Sequence, residues 1–213
     1  MPERTPTPDP LRVVVFIDYQ NVMRDARRAF CGQPFGAADG QIDPLRYGQH
    51  LVARQPLGTS GARRLKEVRV YRGRPHSEKD PRTHAAHMRQ TGAWEKAGVT
   101  VVTRDLRYPR DWPKERAEEK GIDVALAIDA VMMAVTGRLD IAILATTDSD
   151  QRPVLEAFHA LPGGDHPIVE VATWKSDVFS KKLQIKGRHV WSHLLDNVDY
   201  RGVRDRRDYN VAS

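Results

Sequence analysis

The chain has 213 residues, with 34 Lys and Arg against 28 Asp and Glu, a formal net charge of +6 and an isoelectric point near 9.6. A hydrophobic share of 40% and a charged share of 29% describe a globular chain long enough to bury its own core. The single cysteine, Cys31, excludes an internal disulfide framework and a multi-cysteine zinc site.

In chain order, "MPERTPTPDP" is polar and proline-rich, with no apolar signal core. "RVVVFID" (12–18) is a β-branched apolar run and reads as a buried strand, followed by a helix through "VMRDARRAF". "QPFGAADGQIDP" reads as a loop. "EVRVYRG" (67–73) is a second strand, and "DPRTHAAHMRQTGAWEKAG" carries helix start and stop signals. "VTVVTRDL" is a third strand, "DWPKERAEEKG" a charged connection, and "IDVALAIDAVMMAVTG" a helix. "DIAILATT" is a fourth strand, "RPVLEAFHALPGG" a helix with proline in its first turn, and "PIVEVAT" a fifth strand. Strands alternating with helices imply right-handed crossovers and a three-layer, Rossmann-like α/β fold with a mostly parallel sheet. The expected domain covers residues 11–195, with flexible tails at 1–10 and 200–213. No apolar run approaches transmembrane length, so the expectation is a cytoplasmic protein with no membrane partner.

Charge is unevenly spread. Residues 60–120 hold 16 basic and 9 acidic residues, a net of +7, whereas residues 121–170 hold 2 and 8, a net of −6. A basic approach surface beside an acidic pocket suits a polyanionic substrate, although solvated helix faces rich in arginine give the same totals.

The acids fall at informative places. In an open parallel sheet the functional crevice lies beyond the carboxyl ends of the strands. "FIDYQN" ends the first strand in Asp18 and places Asn21 at the opening of the next helix, where it can orient that carboxylate or a bound water. "EKGIDVAL" places Asp123 at the start of the helix that feeds the fourth strand, and "TTDSD" places Asp148 and Asp150 on the turn after that strand. Each acid has a simpler reading as a helix cap or a dipole partner. Together on one rim, three or four carboxylates without thiols select Mg²⁺ or Mn²⁺, and such an ion supports phosphodiester hydrolysis. Arg72, Arg74 and Lys120 are the candidate phosphate contacts, Asp129 reads as supporting structure, and Trp112 is the best placed tryptophan for stacking on a base. His84 and His87 share a helix face but have no further ligand nearby in sequence.

Taken in order, "VVVFIDYQN", "VRVYRGRP", "EKGIDVALAIDAV" and "DIAILATTDSDQRPVLEAF" resemble the NYN domain, a branch of the PIN-like nucleases, over roughly residues 11–175. The resemblance implies a PIN fold, a divalent metal and ribonuclease activity on RNA. It carries over to Asp18, Asn21, Asp123, Asp148 and Asp150. The pattern departs where the family often has "SGDSDF" or "SGDTDL": this chain has Thr147 in place of the glycine and Gln151 in place of the apolar residue. The altered turn keeps a second expectation open, a non-catalytic RNA-binding or adaptor module on the same fold. Haloacid-dehalogenase-like and receiver-like phosphotransfer are disfavoured, because they need their paired acids after the first strand. Whether the chain self-associates or takes a regulatory partner is not legible.

Overall fold

A computed structural model describes residues 9–55, 61–162 and 167–211. The strands are β1 (Leu11–Asp18), β2 (Arg63–Arg74), β3 (Thr100–Asp105), β4 (Ile141–Ala145), β5 (Ile168–Trp174) and β6 (Ser192–Leu195). They form one sheet of order β3-β2-β1-β4-β5-β6, with every neighbouring pair parallel. The helices are α1 (Tyr19–Phe30), α2 (Pro44–Ala53), α3 (Pro81–Lys96), α4 (Ile122–Val135), α5 (Arg152–Ala160) and α6 (Asn197–Val203). This is a Rossmann-like α/β fold of the PIN type.

β1 shows why the sequence builds a central strand. Side chains alternate between the faces of a sheet, so Val13, Val15 and Ile17 enter one core with α1, α2 and α6, while Val14 and Phe16 enter a second core with α4 and α5. Val13 to Ile17 are fully buried because helices cover both faces. Caps then aim the helices: Asp18, Asp43 and Asp80 each accept a backbone N–H in the first turn of α1, α2 and α3.

Chain order runs outward from β1 to β3, then crosses through α4 to β4 on the other side of β1. The strand order therefore reverses between β1 and β4, the place where such sheets open a crevice at their carboxyl ends.

The structure corrects the sequence reading at the C-terminus. The sheet has six strands rather than five, and α2, β6 and α6 were not anticipated. Residues 200–211 are not a free tail. Tyr200, Val203 and Tyr209 are buried, Val203 O accepts from the Asp43 N–H at 2.9 Å, and Gln41 O accepts from the Asp205 N–H at 3.1 Å. A few apolar side chains spaced through the charged "NVDYRGVRDRRDYN" suffice to fasten this segment to α1 and α2. Residues 1–8 of the expected N-terminal tail lie outside the described residues. No helix among the described residues is long and apolar enough to cross a membrane.

Candidate active site

Asp18 stands at the carboxyl end of β1 and caps α1. Its Oδ1 accepts from the Asn21 N–H at 3.1 Å and its Oδ2 from the Thr146 hydroxyl at 3.1 Å. The capping reading of this residue is thus realised. Only 5% exposed, Asp18 has neutral donors around it and no ion pair among the described residues. Burial is the main reason its pKa rises to about 7; the charges of Asp123 and Glu119 push in the same direction, against the two hydrogen bonds.

Asp148 and Asp150 sit where β4 leaves the sheet. Asp148 Oδ1 accepts from the Asp150 N–H at 3.0 Å and so caps the short 3-10 turn Ser149–Gln151 that leads into α5. Asp123 lies in the first turn of α4, after Gly121, whose φ of 76° puts it in the left-handed region that glycine alone adopts freely. The Asp123 carboxyl is raised by partial burial and by the charges of Asp148 and Asp150, with Arg24 acting the other way. Asp18, Asp123, Asp148 and Asp150, separated by up to 132 positions in the sequence, therefore share one electrostatic neighbourhood at the β1–β4 switch point.

Two supporting groups were not anticipated. Glu119 comes from the connection before α4 and accepts from the Gly73 N–H. A side chain at Gly73 would collide with Leu106 and Glu119, so only glycine permits this approach. Burial raises the Glu119 carboxyl; the Gly73 N–H and Arg72 oppose that, and Asp123 adds to it. Asp25 is buried on α1, one turn beyond Asn21, and accepts from the Thr147 hydroxyl at 2.7 Å. Two polar residues at i and i+4 after a strand-end acid were the available signal for Asp25. Glu119 had none, since it reads as one more charge in a charged loop.

Thr147, the departure from the family's glycine, is fastened rather than loose. Its N–H donates to Asn21 Oδ1 at 2.9 Å, and its hydroxyl reaches Asn21 Oδ1 at 3.2 Å as well as Asp25. Gln151, the second departure, is buried and donates from Nε2 to Asp123 O at 3.0 Å, tying the acidic turn to the start of α4. Both substitutions brace the acids with side-chain hydrogen bonds.

A model of the NYN domain matches residues 12–161. The chain belongs to the NYN domain family. No curated protein matches it. Among solved structures, a protein of unknown function from Vibrio parahaemolyticus RIMD 2210633 is similar at 16% identity, over 80% of this chain and 84% of that chain, with a TM-score of 0.49. The family is a branch of the PIN-like nucleases. In this NYN domain β5, β6 and α6 continue the sheet and its cover beyond the matched segment.

The phosphate contacts expected from sequence divide. Arg74 is exposed and paired with Asp105 at 2.8 Å, and Lys120 is exposed beside Glu119. Arg72 requires correction as a surface cation. Its guanidinium lies 5.1 Å from the Tyr19 ring and 5.5 Å from the Trp94 ring, and donates to Gln90 Oε1 at 2.6 Å. Burial pulls its pKa down from the usual arginine value. It is a half-buried cation packed on two rings, and its charge acts on Glu119. Asp129 is structural as expected, accepting from Arg69 and from the Tyr71 hydroxyl, each at 2.8 Å. His84 bonds Pro75 O, and burial holds His87 neutral, its pKa down to about 3.

Proposed function

We propose that this NYN domain is a metal-dependent ribonuclease. The observation that carries the reading is the set of mutually repelling carboxylates at the switch point, Asp18, Asp123, Asp148 and Asp150 with Glu119 behind them, which form no ion pair with any Lys, Arg or His among the described residues. Such a set is strained until a cation arrives. All donors are oxygens, which matches Mg²⁺ or Mn²⁺. Among the described residues no three acid, histidine or cysteine side chains close around a bare ion. That openness is compatible with a cation that keeps several waters and takes one or two carboxylates directly.

Asp18, Asp123, Asp148 and Asp150 would hold the ion. When bound, it neutralises phosphate oxygens and lowers the pKa of a water. In the hydrolysis a water oxygen bonds to phosphorus, the bond from phosphorus to the leaving sugar oxygen breaks, and that oxygen takes up a proton. The chain's own part is placement. Asp25 and Asn21 fix Thr147 and hence the acidic turn, Gln151 fixes Asp123 relative to that turn, and Asp18 stays anchored by Asn21 and Thr146. Exposed Arg74, now paired with Asp105, and exposed Lys120 would draw in RNA backbone.

A second reading, the RNA-binding adaptor, is favoured by one observation: both Asp18 oxygens already accept hydrogen bonds from the protein. Pure protein incubated with labelled single-stranded RNA separates the two. The ribonuclease cuts with Mg²⁺ or Mn²⁺ and stops in EDTA; binding without cleavage under any of these conditions leaves the adaptor.

A further inference from the structure

The connection between β3 and α4, residues 106–121, does two things at once. Its base is pinned by reciprocal backbone bonds between Arg107 and Glu118, both 2.9 Å, and its far end delivers Glu119 to the acids. Its tip carries an aromatic group. Tyr108 and Trp112 meet edge to face at 4.8 Å, the Tyr108 hydroxyl accepts from the His76 N–H at 3.0 Å, and Lys79 Nζ lies 5.2 Å from the centre of the Tyr108 ring. The chain has four tryptophans. Trp94 and Trp174 are core residues, at 2% and 1% exposure, and Trp191 precedes β6 and so lies at the amino edge of the sheet. Trp112 alone is partly open to solvent on a loop that leaves the carboxyl edge, where the acids are. Lys79, whose carbonyl oxygen accepts from Trp112 Nε1 at 3.4 Å, is exposed, and the exposed Arg110 and Lys114 flank Trp112 in the sequence together with the acids Asp111 and Glu115.

We infer that this loop is a base-stacking platform for single-stranded nucleic acid. One or more unpaired bases stack on Trp112, with Tyr108 as its backing, while Lys79, Arg110 and Lys114 meet the flanking phosphates. Aromatic rings interleaved with cations bind single strands of any sequence, because every base offers a π-face. The short path from Trp112 through the pinned stem to Glu119 would set the distance between a held base and the acids. A duplex keeps its bases stacked internally and gains nothing from the ring, so the platform selects unpaired strands. This inference rests on the nucleic-acid reading above and adds to it how the strand is held.

The test is anisotropy of a labelled oligoribonucleotide with the full chain in EDTA, where no cleavage intervenes, against an abasic oligomer of equal length and charge. The expected result is binding of the ordinary oligomer about tenfold or more tighter than the abasic one. Trp112→Ala should erase that difference and leave the salt dependence of both unchanged; Trp112→Phe, which keeps a ring, should retain part of it. Equal wild-type affinity for the two oligomers overturns the platform without any variant having to fold. Cleavage assays run in parallel keep the two readings apart. Metal-dependent cutting with no base preference removes the platform and leaves the ribonuclease. A Trp112-dependent base preference without cutting upholds the platform and removes the ribonuclease. No binding to any oligomer removes both.

Discussion

Asp18 and Glu170 are buried to nearly the same degree, 5% and 2% exposed, yet their surroundings are opposite. Glu170, the third residue of β5, accepts from Arg63 at 2.8 and 3.0 Å and pairs with His193 Nε2 at 2.8 Å. Burial alone would raise its pKa, but the bonds from His193 and Arg63 outweigh it and hold the carboxyl below its usual value. Asp18 has only neutral donors and two neighbouring acids, and its pKa climbs. The chain thus compensates a buried carboxylate fully where it serves the fold, and leaves one uncompensated at the crevice. In the ribonuclease proposed above, that uncompensated burial, with the neighbouring acids, would be offset by a cation rather than by a protein side chain.

The largest effect expected from breaking this contrast is on the compensated side. Glu170→Ala strands the Arg63 guanidinium, whose side chain is 2% exposed, and should lower unfolding free energy by about 3–5 kcal/mol. Urea denaturation measures it. A loss under about 1 kcal/mol would mean that Arg63 turns to water and the network contributes little.

On the uncompensated side, if the domain is the ribonuclease proposed above, Asp148→Asn should reduce RNA hydrolysis by on the order of a hundredfold or more while binding persists, because one negative charge of the proposed cation site is removed and the shape is kept. Single-turnover cleavage beside an affinity measurement reads both. Undiminished cutting by a pure preparation would move the catalytic centre away from "TTDSD".

What the sequence made visible follows the same line. β1 was legible because a strand covered on both faces is apolar throughout. Asp18 and Asp148 were legible because strand ends are fixed once strands are known. α2 was hidden by the Gly- and Pro-rich stretch before it, and β6 is only four residues long. Glu119 joins the acids through Gly73, 46 positions away, a closeness no local pattern encodes. Arg72 was misjudged because sequence records a charge but not the rings of Tyr19 and Trp94 that enclose it. The change from glycine to Thr147 read only as an altered turn, since the acceptor for its hydroxyl, Asp25, is 122 positions away.

Proton linkage at Asp18 gives a smaller, signed effect. Its folded pKa of about 7 lies above the ordinary 3.8, so the metal-free folded state binds the proton more tightly than the unfolded chain. Stability is fully present below pH 3.8 and is lost as pH rises through about 7. Asp18→Asn removes that loss and keeps an acceptor for the Asn21 N–H. Without metal the variant should be more stable than wild type at pH 8 by roughly 1–3 kcal/mol, and the gap should shrink toward pH 4. Thermal melts across this range in EDTA test it; a gap that grows on acidification would show Asp18 to be stabilised as its anion.

The smallest effects sort the cations around the acids. Arg72→Gln should cost about 1–2 kcal/mol in urea denaturation, because the stacking on Tyr19 and Trp94 is lost along with the charge opposite Glu119. Lys120 is exposed and forms no ion pair among the described residues, so Lys120→Gln should leave stability within about 0.5 kcal/mol. If Lys120 meets a phosphate, its loss should weaken RNA binding several-fold and reduce the slope of log affinity against log salt by about one. The slope decides the matter, because a change in affinity alone would also follow from a small shift of Glu119 next to it. An unchanged slope in Lys120→Gln, with a reduced one in Arg74→Gln, would place the backbone path along the end of β2 rather than over the start of α4.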